Sequence, residues 1–141
     1  MTDRQRLVEQ LLLHEGLRLK PYTDSVGKLT IGVGRNLTDK GISKAEAMTL
    51  LDHDIDECVT DLATFPWFAG LDPVRQRVLV DLRFNLGPKG FRSFARTLAS
   101  VEQGDYVTAG EQMLQSRWAS QVSFRADRLA RMMRSGLDEL L

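Results

Sequence analysis

The chain has 141 residues, enough for one domain around a single core, and its 43% hydrophobic and 27% charged residues are typical of soluble globular proteins. Nineteen basic residues balance nineteen acidic ones, which excludes an overall positive field that would attract nucleic acid or another polyanion. The single cysteine excludes an internal disulfide, and no segment approaches the roughly 20 apolar residues that a membrane-spanning helix needs.

The first predicted element is a helix from about Asp3 to Glu15, because apolar residues recur along it at helical spacing. Gly16 follows as a C-terminal cap. Glu15 continues the apolar face of Leu11 and Leu12, and it lies where the helix dipole disfavours an anion by roughly 0.3–1 kcal/mol. Both features oppose ionisation of the carboxyl, the apolar face by desolvation and the helix end by its dipole, and a carboxyl that keeps its proton suits a general acid near neutral pH. The alternative is a boundary glutamate paired with an arginine.

The pattern then changes to a period of two. Between Leu29 and Val33, apolar residues alternate with Thr30 and a glycine. This alternation predicts a strand with one buried apolar face and with Thr30 on the opposite face. A turn signal begins at Asp24, just before the strand. Residues 18–34 therefore predict a small β-hairpin or meander that has Asp24 in its turn.

Helical spacing returns for the rest of the chain. A capping box at Ser43–Glu46 begins a helix that reaches about Ala63 and is long enough to join two lobes. Asp72-Pro73 begins another helix, which Gly87-Pro88 is predicted to stop. Shorter helices are predicted at about 93–102, 106–116 and 124–134. The sequence thus predicts an α+β fold, with a small β-hairpin lobe and a larger all-helical lobe joined by a long helix.

Two carboxyl groups are the candidate chemistry. A desolvated Glu15 and a solvated turn residue, Asp24, are the components of glycoside hydrolysis, in which one carboxyl donates a proton and the other organises a water or attacks directly. Thr30 can both donate and accept a hydrogen bond, which suits holding a water beside a carboxylate. Taken singly, Asp24 is typical of a turn-capping aspartate and Thr30 of an ordinary strand threonine.

The stretch from Glu15 to Gly34, EGLRLKPYTDSVGKLTIGVG, closely resembles the phage-type lysozymes, the muramidase family typified by the T-even coliphage enzyme. The family's glutamate, aspartate and threonine triad has the same spacing as Glu15, Asp24 and Thr30. Further resemblances follow in order along the whole chain, at 43–63, 74–87, 116–118 and 125–128. The resemblance implies a lysozyme-like α+β fold in one domain, residues 1–141. Its parts are a β lobe at about 16–42, an inter-lobe helix at 43–63, and a helical lobe at 71–141 with the N-terminal helix.

The resemblance also implies an activity: an endolysin that hydrolyses the β-1,4 bond between N-acetylmuramic acid and N-acetylglucosamine in bacterial peptidoglycan. Glu15 would donate the proton, while Asp24 and Thr30 would hold the attacking water, which predicts inversion at the anomeric carbon. An inverting enzyme leaves room for that water by keeping its two carboxyl groups roughly 6.5–9.5 Å apart.

Residues of the helical lobe carry further implied roles. Phe84, Thr97 and Gln112 match substrate-binding positions of the family, and Arg125 matches an arginine that approaches the catalytic glutamate. No metal or cofactor is implied. Arg35 departs from the family, which usually has histidine there, so any ion pair made by that histidine must be rebuilt or lost.

Peptidoglycan glycan strands are the expected partner of a monomer, without nucleic acid or membrane insertion. The N-terminal sequence lacks signal-peptide character, so we expect the enzyme in the host cytoplasm until a holin gives it access to the periplasm and cell wall. Two alternatives are a non-catalytic glycan-binding module and a lytic transglycosylase that leaves an anhydro-sugar. The intact triad argues against the first, and a water held by Asp24 and Thr30 argues against the second.

Overall fold

The computed structural model describes residues 1–139 and divides the chain into two compact units, Met1–Leu50 and a second that begins at Leu51. Helices dominate, and a small antiparallel sheet lies in the first unit. The predicted α+β class is confirmed. The assignment of residues 1–141 to one domain stays a prediction, and its last two residues lie outside the described part.

The first unit begins with helix α1 (Asp3–Glu15). A capping box starts the helix, because the Thr2 hydroxyl accepts from the Gln5 N–H at 3.2 Å and the Gln5 side chain accepts from the Thr2 N–H at 2.7 Å. The helix ends where the Gly16 N–H donates to the carbonyl of Leu12 at 2.9 Å. The helix bounds and the Gly16 cap are as predicted.

A three-stranded antiparallel sheet follows α1. Its strands, in spatial order, are β1 (Arg18–Thr23), β2 (Leu29–Gly32) and β3 (Arg35–Asn36). Thr30 lies on the central strand, paired with Tyr22 of β1 and with Asn36 of β3. The predicted meander is confirmed, and β3 extends it beyond residue 34.

The prediction that β2 buries its apolar face and leaves Thr30 on the open face is wrong. Thr30 is only 3% exposed, whereas Leu29 is 45% exposed and Val33, just beyond the strand, is 40% exposed. The buried side of the central strand therefore carries the hydroxyl rather than the apolar residues. This burial is tolerated because the Thr30 hydroxyl donates to the carbonyl of Lys28 at 3.0 Å.

The long predicted helix is α2 (Lys44–Leu62), which begins in the first unit and ends in the second. A short 3-10 helix (Phe68–Gly70) follows it, and the remaining helices are α3 (Pro73–Arg92), α4 (Ala95–Glu102), α5 (Tyr106–Leu114), α6 (Arg117–Gln121) and α7 (Ser123–Ser135). The predicted stop at Gly87-Pro88 is instead a break within α3: Gly87 has φ +75° and the helix resumes after it. Pro88 is tolerated because it occupies the start of the resumed segment. Within residues 1–139, no helix has the length and apolar character needed to cross a membrane.

The core of the second unit is built from apolar side chains of α2 to α7. Its largest fully buried members are Leu62, Val78, Leu79, Leu82, Phe91, Val101, Met113, Met132 and Met133. Both tryptophans pack at this core: Trp67 lies 5.3 Å from Phe65 between ring centroids, and Trp118 lies 6.0 Å from Phe94. The Trp118 indole N–H also donates to the side-chain oxygen of Asn85 at 2.6 Å.

A charge cluster ties α2 to α3 in the second unit. The Arg83 side chain is 7% exposed, and its Nε donates to Asp61 at 2.6 Å. Arg92 donates to both oxygens of the same carboxylate, at 2.7 and 2.9 Å. These hydrogen bonds, that of Arg92 first, hold the pKa of Asp61 well below its usual range.

Candidate active site

The three residues of the predicted triad all lie in the first unit. Glu15 ends α1, Asp24 follows β1, and Thr30 lies in β2. Short local signals, a glycine after the helix and a turn between the strands, set these positions along the chain. The predicted spacing of 6.5–9.5 Å between the two carboxyl groups, which follows from an inverting reaction, stays a prediction.

The expected desolvation of Glu15 is not found. Glu15 is exposed and α1 contains no buried residue. The apolar face that was expected to surround the carboxyl is itself open, since Leu11 is 43% and Leu12 is 38% exposed. The apolar side chains of α1 therefore do not shield the Glu15 carboxyl from water.

The Glu15 carboxyl instead packs against a bare stretch of backbone. Gly34 lies between β2 and β3 with φ +65°, and a Cβ placed on it would stand 2.5 Å from Oε2 and 2.9 Å from Cδ of Glu15. The fold thus places the end of α1 against the segment that follows β2.

Asp24 forms several hydrogen bonds within its own turn. Its Oδ1 accepts from the backbone N–H of Val26 at 3.0 Å and from that of Lys28 at 2.8 Å. Its own N–H donates to the carbonyl of Lys28 at 2.9 Å. Asp24 is therefore the turn-capping residue that the plain alternative describes. Its second oxygen, Oδ2, accepts no hydrogen bond from residues 1–139 and is left for a ligand or water.

Thr30 and Asp24 are joined through the backbone of one residue, Lys28. The Lys28 N–H donates to Asp24, while its carbonyl accepts from both the Asp24 N–H and the Thr30 hydroxyl. Because the Thr30 hydrogen is committed to that carbonyl, the remaining lone pairs of Thr30 Oγ can only accept. Sequence reasoning missed Lys28, since its part is played by backbone atoms that carry no sequence signal.

Two of the predicted substrate contacts share a pocket of about 470 Å³ in the second unit. Thr97 and Gln112 both line it, together with Arg96 and Arg117. The Gln112 side-chain oxygen accepts from the Ser100 hydroxyl at 2.9 Å, which leaves the amide N–H groups available to donate. Neither arginine forms an ion pair within the described chain, and both were missed although they adjoin Thr97 and Trp118 in sequence.

Phe84 lies elsewhere in the second unit. It is 44% exposed and lines a mainly apolar groove of about 730 Å³ that also contains Val80 and Phe124. The structure therefore brings Thr97 and Gln112 together and separates Phe84 from their pocket. All three substrate-binding assignments stay predictions.

The phage lysozyme family model matches residues 13–133. The chain belongs to this family. It is 34% identical over 121 residues to the SAR-endolysin of Escherichia phage Mu, covering 81% of this chain and 67% of that protein. It is 21% identical over 158 residues to the probable T4-type lysozyme 1 of Dictyostelium discoideum, covering 91% and 93% respectively.

The chain also resembles part of a much larger protein. It is 28% identical over 159 residues to the pre-baseplate central spike protein Gp5 of Enterobacteria phage T4, covering 92% of this chain but 28% of that protein. Membership of the phage lysozyme family, with relatives named as endolysin and T4-type lysozyme, supports a peptidoglycan-lysing glycoside hydrolase. It also agrees with the lysozyme-like α+β fold.

Arg125 has a partner of its own in the second unit. Its Nε donates to Asp81 Oδ1 at 2.7 Å, and its Nη2 lies 2.5 Å from the same oxygen. Its positive charge is therefore matched by Asp81. The role near Glu15 that the family resemblance implies for Arg125 stays a prediction.

Arg35, which stands where the family usually has histidine, forms an ion pair with Glu46 within the first unit. Its guanidinium donates to both carboxylate oxygens of Glu46, at 3.0 and 2.5 Å. Glu46 also accepts from the Ser43 N–H at 2.9 Å in the predicted capping box of α2. These hydrogen bonds, that of Arg35 first, lower the pKa of Glu46 from 4.5 to about 2.

This pairing predicts an acid-dependent loss of stability. Because the pKa of Glu46 is lower in the folded chain, its contribution is complete above about pH 4.5 and is lost as the pH falls towards 2. We expect Glu46→Gln to be less stable than the wild type at neutral pH, with a difference that vanishes near pH 2. Urea unfolding across this range measures it.

Glu9→Gln is the control, because Glu9 is an exposed residue of α1 without an ion pair in the described chain. A Glu46→Gln deficit of equal size at every pH would contradict the role of the ion pair.

Proposed function

We propose that the chain is an endolysin-type muramidase that hydrolyses the β-1,4 bond between N-acetylmuramic acid and N-acetylglucosamine in bacterial peptidoglycan. The observation that carries the proposal is the arrangement of the first unit. A carboxyl at the end of α1 packs against Gly34, while Asp24 and Thr30 are joined through the Lys28 backbone. Family membership supports the reaction class.

Glu15 is the proton donor in this proposal. Its exposure leaves the carboxyl open to the glycosidic oxygen of a bound glycan, to which it gives its proton as the bond to the anomeric carbon breaks. The departing sugar leaves as an alcohol, and Glu15 is left as a carboxylate.

Asp24 and Thr30 suit a water that attacks the anomeric carbon. Asp24 Oδ2 and Thr30 Oγ are both acceptors, so a water between them would donate one hydrogen to each and direct its lone pair outward. Asp24 takes the proton that this water loses as it bonds to carbon. Attack from the face opposite the leaving sugar inverts the configuration and gives an α-configured product.

The pocket of the second unit supports a substrate of the right polarity. Gln112 offers free amide N–H groups, and Arg96 and Arg117 add two cations that lack ion-pair partners in the described chain. Peptidoglycan carries sugar and peptide carbonyls together with carboxylates, which such donors bind.

We also propose that the enzyme reaches these glycan strands from the host cytoplasm with the help of a holin.

Product analysis tests this function directly. Purified peptidoglycan is digested, new reducing ends are identified, and proton NMR follows the first anomer, with Glu15→Gln as the blank. We expect reducing N-acetylmuramic acid and the α anomer. An anhydro-sugar would show transglycosylation instead, and a β anomer would contradict the water mechanism. Binding to glycan without cleavage would identify a glycan-binding module.

A further inference from the structure

The Glu15 carboxyl occupies the space where residue 34 would carry a side chain. A Cβ on Gly34 would have its three nearest neighbours in Glu15: Oε2 at 2.5 Å, Cδ at 2.9 Å and Cγ at 3.1 Å. The other glycines of the first unit, Gly16, Gly27, Gly32 and Gly41, also have positive φ, but nothing lies within 4 Å of a Cβ placed on them. Gly34 is thus distinguished by what it faces.

The Glu15 carboxyl forms no hydrogen bond and no ion pair within residues 1–139. Glu15 is exposed and has several rotatable bonds, so packing against the Gly34 backbone is the restraint on its position that the structure shows. An acid must be held near the productive geometry, because a misplacement of about 1 Å can cost about 10²-fold in rate.

We propose that Gly34 is a positioning residue for the proton donor: because Gly34 has no side chain, the Glu15 carboxyl can pack directly against its backbone. This proposal rests on the proposed function, in which Glu15 donates the proton. A side chain on residue 34 would meet the far end of a flexible side chain rather than backbone. The Glu15 carboxyl would therefore move away from residue 34, while the surrounding fold would be kept.

The experiment compares Gly34→Ala with Gly41→Ala. The two glycines have nearly the same φ, +65° and +62°, so both variants carry the same backbone strain, while Gly41 has open space around it. We expect similar falls in melting temperature for both variants. We expect kcat to fall by about 10²-fold, with KM unchanged, in Gly34→Ala alone.

Carbon-13 NMR of the side-chain carboxyls gives a readout that does not depend on activity. The Glu15 signal is assigned by its loss in Glu15→Gln. We expect Gly34→Ala to shift this signal and Gly41→Ala to leave it in place. Equal kcat values and an unmoved Glu15 signal in both variants would overturn the proposal. An active Glu15→Gln would instead overturn the proposed function, so the two failures are distinguishable.

A double variant keeps the test decisive if Gly34→Ala does not fold. Glu15→Ala removes every atom that a Cβ on Gly34 would approach most closely. We then expect Glu15→Ala/Gly34→Ala to fold with a melting temperature close to that of Gly41→Ala. A double variant that still fails to fold would overturn the proposal, because the fault would then lie outside the contact with Glu15.

Discussion

Replacing Glu15 with glutamine is expected to lower peptidoglycan hydrolysis by about 10²–10⁴-fold while the fold is kept. Glutamine has the same shape as glutamate, but its amide cannot donate a proton to the leaving oxygen. Because the exposed carboxyl accepts no hydrogen bond from the described residues, the substitution removes none. The loss of turbidity of chloroform-treated bacteria measures activity, and urea unfolding measures stability.

Glu9→Gln is a matched control for this experiment. Glu9 is an exposed glutamate on the same helix, α1, and its substitution removes the same charge. We expect Glu9→Gln to retain wild-type activity. If Glu15→Gln stayed within a few-fold of the wild type, Glu15 would not be the proton donor.

Asp61→Asn is expected to lower the free energy of unfolding by about 3 kcal/mol. Removing one partner of a buried ion pair typically costs about 3–5 kcal/mol. Arg83, with a side chain 7% exposed, would keep a distant contact with the carboxylate of Glu57, at 3.8 Å, and its weak hydrogen bond to Cys58 Sγ, at 3.9 Å. We take the lower end of the range because the Asp61 side chain is 19% exposed.

Acid should reduce this difference. The lowered pKa of Asp61 means that its stabilisation is complete above the ordinary aspartate range and declines as the pH falls towards the folded-state pKa. Urea unfolding at neutral and acidic pH measures both effects, with Asp56→Asn, an exposed position of α2, as the control. A neutral-pH loss below about 1 kcal/mol, the upper end for exposed ion pairs, would show that the cluster contributes little.

Local signals predicted most of the secondary structure. The helical period up to Glu15 and the capping box at Ser43–Glu46 act over a few consecutive residues, so α1 and α2 could be placed from sequence. The continuation of α3 past Gly87 was missed, because Pro88 stops one helix and equally well starts another. The five-residue α6 offers too short a pattern to detect.

The surroundings of the site could not be predicted in the same way. Which face of a strand or helix is buried depends on what packs against it. Thr30 therefore proved buried and Glu15 exposed, contrary to their local patterns. The family resemblance supplied the triad itself. The packing of Glu15 against Gly34 and the hydrogen bonds that join Asp24 and Thr30 to Lys28 involve backbone atoms, which residue types do not reveal.

The placement of the tryptophans makes the second unit separately observable by spectroscopy. Trp67 and Trp118 are the only two tryptophans of the chain, and both lie beyond Leu51. Selectively excited fluorescence therefore reports the environment of that unit alone, whereas far-ultraviolet circular dichroism reports helices in both. Denaturation curves that coincide for the two signals would mean that the chain unfolds as one cooperative body. Curves that separate would assign each transition to its unit without any added label.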